Sequence, residues 1–401
     1  MIFKKSLQFR DLSEGSGFYC CMKPLVCLIL INFLWVAPSF GYTRKANPGP
    51  WGELTVSNIY LEAPDSVIDV SGKPDPVPRW TFPNSSTTLV KDLLIKSGVN
   101  LALVERLTSS DYLKISGTEI VIYPKLEDLL QIKGIVRDKL YTEISKYPLN
   151  EYYADPVFIL SGDVEEWLQE TTLNANQKDL VRQLVWRRGD ALVFSNVGIL
   201  LSYAQNNEEI KNTLRAITRC MSLVVTKKFP LKSEQREAFL NYWIGNQTES
   251  PRMTFVKSVS KEKDLNDSID IMHFLPAIMR ERLYTFPSIK DGAKGRLPDC
   301  HWTSLNFFNL SPRDYYRNTS MAAIQLTQAY NQVSAPYQFG DVLCFTDNGE
   351  GLHTCVYIAD NIVLTKNGEN ILAPWVLLTL EDVSKIYKRS ATTQIQGYRL
   401  K

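Results

Sequence analysis

The residues best suited to chemistry lie in the run from Leu297 to Phe308, above all Asp299-Cys300-His301-Trp302, together with His353 further along the chain. A cysteine attacks as its thiolate, so a nucleophilic site must lower the thiol pKa towards neutrality. The start of a helix does this with its partial positive charge and unpaired N–H groups. The same N–H groups can hold the oxyanion that forms on a substrate carbonyl. Cys300 follows a loop and opens an apolar stretch (Trp302, Leu305, Phe308), which is the required placement, and Asp299 is a natural N-cap.

A thiol nucleophile needs a base. Beyond Gly41 the chain offers His273, His301 and His353. His301 is the chain neighbour of Cys300, and adjacent side chains on a helix diverge. His273 sits in an apolar run and reads as a packing residue. His353 opens a strand, from which its side chain can face a helix laid over the sheet, so it is the expected base. The plain alternatives are a buried inert thiol for Cys300 and a packing role for His353. A metal reading exists as well, since His353 and Cys355 share a strand face and Cys344 lies on the preceding strand. No fourth ligand and no paired-cysteine motif accompanies them, and structural zinc takes four protein ligands. Neither a metal nor any other cofactor is therefore called for.

This arrangement resembles the NlpC-like branch of papain-fold cysteine peptidases. Asp299-Cys300 is similar to the family's Asp-Cys at the head of its catalytic helix, and Gly340-Asp341-Val342-Leu343-Cys344-Phe345 to its Gly-Asp strand. His353-Thr354-Cys355-Val356-Tyr357-Ile358 is similar to its histidine strand. The resemblance covers roughly residues 270 to 390. It implies Cys300 as nucleophile, His353 as base, Thr365 or Asn367 as the group that orients the imidazole, and Tyr284, Asp299 and Trp302 on the substrate side. It also implies cell-wall peptide or other amide substrates. Two departures stand out: His301-Trp302 follow the cysteine where the family has Ser-Gly, and the third position by spacing is Thr365.

The elements expected to position these groups follow from periodicity. Helical spacing marks Leu89 to Ser97, Leu126 to Tyr147, Asp163 to Glu170, Gln177 to Trp186, Val197 to Ala204, Glu208 to Cys220 and Ser233 to Trp243, so residues 85–245 read as a mostly helical domain. Residues 42–84 read as an extended lead-in and 246–268 as a linker. Beyond it, Ile269 to Tyr284, the stretch after Cys300, and Ser311-Pro312 onward read as helices. Three strands then follow over Asp341–Thr346, Leu352–Ala359 and Ile362–Thr365, each followed by a turn, at Asn348-Gly349, Asp360-Asn361 and Asn367-Gly368. The fold class is α+β: a mostly helical N-terminal region, then residues 269–401 as a papain-like domain with helices packed on a small antiparallel sheet.

At 401 residues the chain is long enough for two or three domains. Its net charge of +2, with acids and bases interspersed, argues against a nucleic-acid partner. No phosphate-cradling glycine motif sits between a strand and a helix. Met22-Lys23, the apolar run Leu25 to Ala37 and the small residues Ser39 and Gly41 read as an export signal over residues 22–41, with Met22 read as the start and 1–21 as untranslated. The run is about 13 residues against the ~20 of a membrane span, so membrane contact is expected only through an uncleaved signal. Cys220, Cys300, Cys344 and Cys355 remain after cleavage, too few for a disulfide scaffold, although a Cys344–Cys355 bridge stays open. The expectation is an exported bacterial thiol hydrolase of the periplasm or cell envelope, acting through an acyl-cysteine. An acyltransferase on the same pair, or a catalytically inactive binding or scaffold protein, are the alternatives.

Overall fold

The computed structural model describes residues 43–71, 77–160, 163–169, 171–245, 251–292, 295–388 and 390–401. The expected signal at 22–41 and the residues before it lie outside these. The fold mixes helices with antiparallel sheets. Strands β1 (Thr43–Lys45) and β2 (Leu54–Leu61) open it. Then come β3 (Trp80–Pro83), β4 (Leu113–Ser116) and β5 (Glu119–Ile122), forming a sheet of order β3-β5-β4. Next are β6 (Val157–Ile159), β7 (Trp186–Arg188) and β8 (Ala191–Phe194), of order β6-β8-β7. Short amphipathic helices surround both small sheets. Trp80, Leu94, Tyr141, Trp167, Trp186 and Phe194 belong to the core they share.

The extended lead-in expected over residues 42–84 is instead structured and reaches far along the chain. β2 pairs antiparallel with β9 (Cys220–Lys228), in register from Leu54↔Lys227 to Leu61↔Cys220, and β10 (Ser268–Asp270) extends that sheet. The pairing follows from alternation: Leu54 and Val56 on β2 and Leu223 and Val225 on β9 are buried on one face. They join Trp243, Phe274, Trp302, Val356 and Trp375 in a second core. The chain is thus divided by its cores at about residues 62 and 219, not at a linker near 250. Within the expected linker, Pro251–Lys261 is a helix that buries Met253 and Val256. Arg252 and Ser260 are buried with them, while Lys257 and Lys261 are exposed.

The six-stranded antiparallel sheet that carries the candidate residues has the order β11-β16-β12-β13-β14-β15. Its strands are β11 (Tyr330–Val333), β12 (Val342–Asp347), β13 (Glu350–Ala359), β14 (Ile362–Lys366), β15 (Trp375–Thr379) and β16 (Gln394–Leu400). The three central strands match the sequence expectation. β12 and β13 are joined by the two-residue turn Asn348-Gly349, both at positive φ, which is the hairpin geometry that Asn-Gly favours. One face of the sheet bears Val356, Leu364, Trp375 and Leu377 and packs on the helix Cys300–Leu305, hereafter the thiol helix. The opposite face bears Leu343, Phe345, Cys355 and Val363 and packs on the last helix, Leu380–Tyr387.

Several expected helices are shorter than their patterns. Leu126 to Tyr147 is two helices, Leu126–Gln131 and Gly134–Ile144, broken before Gly134. Ile269 to Tyr284 becomes a strand, a 3-10 turn and the helix Ala277–Arg282, because Pro276 cannot continue the preceding turn. Ser311-Pro312 opens no helix. A 3-10 turn at Asp314–Arg317 intervenes, and Asn318 caps the helix Thr319–Ala329.

Candidate active site

The thiol helix begins as its sequence requires. Asp299 is its N-cap, the carboxylate accepting from the Trp302 N–H at 2.8 Å, and the helix ends after one and a half turns at Leu305. Cys300 is its first residue and is buried. Trp302, expected on the substrate side, is instead 1% exposed. It packs edge-on against Trp375 with its indole N–H on Asp314, because the position two residues after the cysteine faces the sheet. Asp299 is likewise buried and occupied as a cap. The Tyr284 hydroxyl donates to the Leu223 carbonyl of β9 at 2.8 Å, while its ring lines a separate cleft with Tyr60, Glu62, Pro64 and Phe286.

Strand alternation decides what faces the sulfur. On β13, the Thr354 side chain projects to the thiol-helix side, where its hydroxyl meets His301 Nδ1 at 3.3 Å. His353, one residue earlier, projects to the other side and stacks flat on Tyr387 of the last helix, centroids 3.9 Å apart at 8°. Its Nε2 meets Thr365 Oγ1 at 2.6 Å, and its Nδ1 is buried without a hydrogen-bond partner. Of the two candidates for the orienting group, Thr365 holds the imidazole. The Asn367 side-chain amide oxygen Oδ1 instead accepts from the Tyr387 hydroxyl at 3.2 Å, supporting the ring that covers the imidazole.

Sulfur and imidazole are not hydrogen-bonded to each other: contrary to the sequence expectation that His353 faces the thiol helix, it lies on the opposite face of the sheet, because the residue that faces the helix at this point of β13 is Thr354. Tyr357 exchanges backbone hydrogen bonds with Asp341 and Gly340, so odd-numbered N–H groups of β13 point to β12 and even-numbered ones to β14. The β13–β14 ladder, however, ends at the pair Val356↔Leu364. Beyond it the Thr354 N–H faces a fork between the two strands, and this N–H, with the Thr354 hydroxyl and the His301 N–H, favours the Cys300 thiolate. The sulfur therefore sits at the fork from the thiol-helix side. On the other face His353 reaches across to Thr365 on β14.

Electrostatics keep the resting site neutral. Burial, and then the Asp299 charge, push the Cys300 thiol up to about 12 against the donors just named. Burial, reinforced by His301, holds the His353 imidazole well below its usual range and so disfavours its protonated form. Sequence reasoning missed Lys366. It follows Thr365 on β14 and so lies on the thiol-helix side; burial brings its amine down to about 8, while Asp299 and Cys300 pull it up. The signal available was a lone lysine closing an apolar strand before an Asn-Gly turn. His273, read as a packing residue, is exposed and sits 5.8 Å from the Phe255 ring.

The four described cysteines are free. Cys344 pairs with Thr354 and Leu343 with Cys355 in the β12–β13 ladder, so Cys344 and Cys355 project to opposite faces. They can neither bridge nor converge with His353 on one metal ion. The chain matches no family model, no curated protein and no solved structure.

Proposed function

We propose that the chain is a thiol-dependent hydrolase of papain-like, NlpC-type architecture, cleaving amide bonds of exported or cell-envelope peptides through an acyl-cysteine. The observations behind this reading are a thiol at the head of a capped helix, with Thr354 and His301 donors that favour its thiolate, and across β13 the His353 imidazole, held through Nε2 by Thr365 with its Nδ1 buried and without a hydrogen-bond partner. In the reaction the thiol proton passes to Nδ1 and the sulfur adds to the carbonyl. The imidazolium then protonates the departing amine, and water, deprotonated by the same nitrogen, releases the acid. Transfer to an amine or alcohol in place of water uses the same steps.

The sulfur has to gain contact with the imidazole when substrate enters, since catalytic hydrogen bonds of empty sites often tighten only in the complex. Cys300→Ala abolishes envelope-peptide hydrolysis on this reading; unchanged turnover removes Cys300 as nucleophile.

A second reading is favoured by a different observation. A buried thiol pushed up to about 12 is the state of an inert cysteine, which suits a binding or scaffold protein that keeps the fold without the chemistry. Alkylation by iodoacetamide with a bound peptide substrate separates the two. Protection of Cys300 together with product release supports the hydrolase. Binding with no acyl-enzyme by mass spectrometry supports the scaffold.

A further inference from the structure

Arg188 closes β7, far from the candidate site in sequence, yet its side chain ends beside it. β7 is fixed in the N-terminal core: the buried Trp186 donates through its indole N–H to Ser195 Oγ at 2.9 Å, and the Arg187 N–H donates to Asp138 at 2.8 Å. From that base the Arg188 guanidinium bridges two carbonyls. Its Nη1 donates to Ala154 at 2.7 Å and its Nη2 to Ile386 at 3.3 Å, while its central carbon lies 5.1 Å from the Phe158 ring. Phe158 belongs to the seam, packing both on the N-terminal core and on the cluster beneath the last helix.

Ile386 precedes Tyr387 at the end of a helix of eight residues. The last carbonyls of a helix have no partner within it, and the final turn frays unless they are taken up from outside. The Ser384 carbonyl accepts from the Lys388 N–H at 2.8 Å, and the Ile386 carbonyl accepts from Arg188, a cation at the negative end of the helix dipole. Val383 and Ile386 bury the helix against the sheet, but Tyr387 is its final residue, so the direction of its ring depends on that turn staying wound. This ring lies flat on His353, with its hydroxyl on Asn367 and Phe345 at 6.2 Å. The imidazole is otherwise bounded by Thr365 and Phe345, and His301 is the charged group that acts on it.

We infer that Arg188 is a positioning residue for His353: reaching from the N-terminal core, it holds the last helical turn where the Tyr387 ring lies on the imidazole. That His353 is the base rests on the thiol-hydrolase reading, whereas the test reads the imidazole itself. The full chain has three histidines, so NMR of labelled histidine resolves them, with His353→Asn giving the assignment. A ring lying flat on another shields its protons. The His353 signals of the wild type therefore sit upfield, and Tyr387→Leu marks where they fall without the stack. Arg188→Met is expected to move them most of the way to that position, and to raise the imidazole pKa by about one unit as water gains access.

Arg188→Lys keeps the charge but cannot fork across two carbonyls, so it moves the signals in the same direction, which loss of charge alone would not do. Arg187→Met, at the exposed neighbour, leaves them where they are in the wild type. Wild-type His353 signals in an Arg188→Met protein that circular dichroism shows to be folded overturn the inference, as does an equal movement in Arg187→Met. Should Arg188→Met not fold, Arg188→Lys decides by the same criterion. Moved signals with no hydrolysis of any peptide leave the role of Arg188 standing and remove the hydrolase; hydrolysis with unmoved signals does the reverse.

Discussion

Asp299 does two things that oppose each other. Its carboxylate caps the thiol helix, and its charge discourages ionisation of the adjacent thiol. Asn is as good a cap but carries no charge. Asp299→Asn is therefore expected to keep stability within about 0.5 kcal/mol and to speed Cys300 alkylation at pH 8, whereas Asp299→Ala costs about 1 kcal/mol in urea unfolding. His353 makes a pH prediction with a definite sign. Folded, its imidazole is held well below the usual range; unfolded, it takes a proton near pH 6.5. Below that pH the unfolded chain binds the extra proton, so stability is complete above about 6.5 and is lost as pH falls, by up to about 1.4 kcal/mol per unit. His353→Asn should remove that share of the slope in urea midpoints measured between pH 7 and 5. A mutant slope equal to the wild type's would mean that the ring is charged in the native protein.

At the scale of elements, the Gly340-Asp341 pair explains itself by packing. Gly340 has φ +90°, its N–H donates to the Tyr357 carbonyl at 2.9 Å, and a Cβ there would stand 2.2 Å from the Phe308 ring. Asp341 receives a bidentate Arg399 at 2.7 and 2.8 Å, tying β16 to β12. Gly340→Ala combines a strained backbone with a steric overlap, so we expect a loss of about 1–3 kcal/mol, read as a lower urea midpoint. Because this turn braces Phe308, just beyond the thiol helix, the same variant should loosen the Cys300 environment and accelerate its alkylation. The fork itself is an element-scale feature, since it exists only because β13 outruns its ladder with β14.

At the scale of the molecule, the sheet bearing the site is finished by residues far from it in sequence. Ser222 on β9 accepts from the Leu377 N–H and donates to its carbonyl, at 3.1 and 3.3 Å, and the Tyr284 hydroxyl binds Leu223 beside it. Arg188 of β7 reaches the Ile386 carbonyl on the last helix, linking the first core to the helix that covers His353. A fragment of residues 269–401 would expose the face of Trp375 and Leu377 that β2 and β9 cover. It is expected to lack a cooperative thermal transition, where residues 43–401 show one by calorimetry. A cooperative melt of the fragment would mean that the C-terminal core is self-sufficient.

What the amino-acid order determined alone is local. The cap at Asp299, the thiol at the first turn, the hairpins at Asn348-Gly349 and Asp360-Asn361 and the spacing that brings Thr365 to His353 all depend on neighbours a few residues apart, where backbone stereochemistry and side-chain period suffice. The tertiary structure alone decided which side of the sheet the thiol helix lies on, and hence that Thr354 and Lys366 lie on its side while His353 lies on the other, against Tyr387. It also decided that residues 43–61 belong with the C-terminal core. Both are set by burial between segments distant in the chain: a period of two says that alternate residues part company, but only the packing partner says which set goes where.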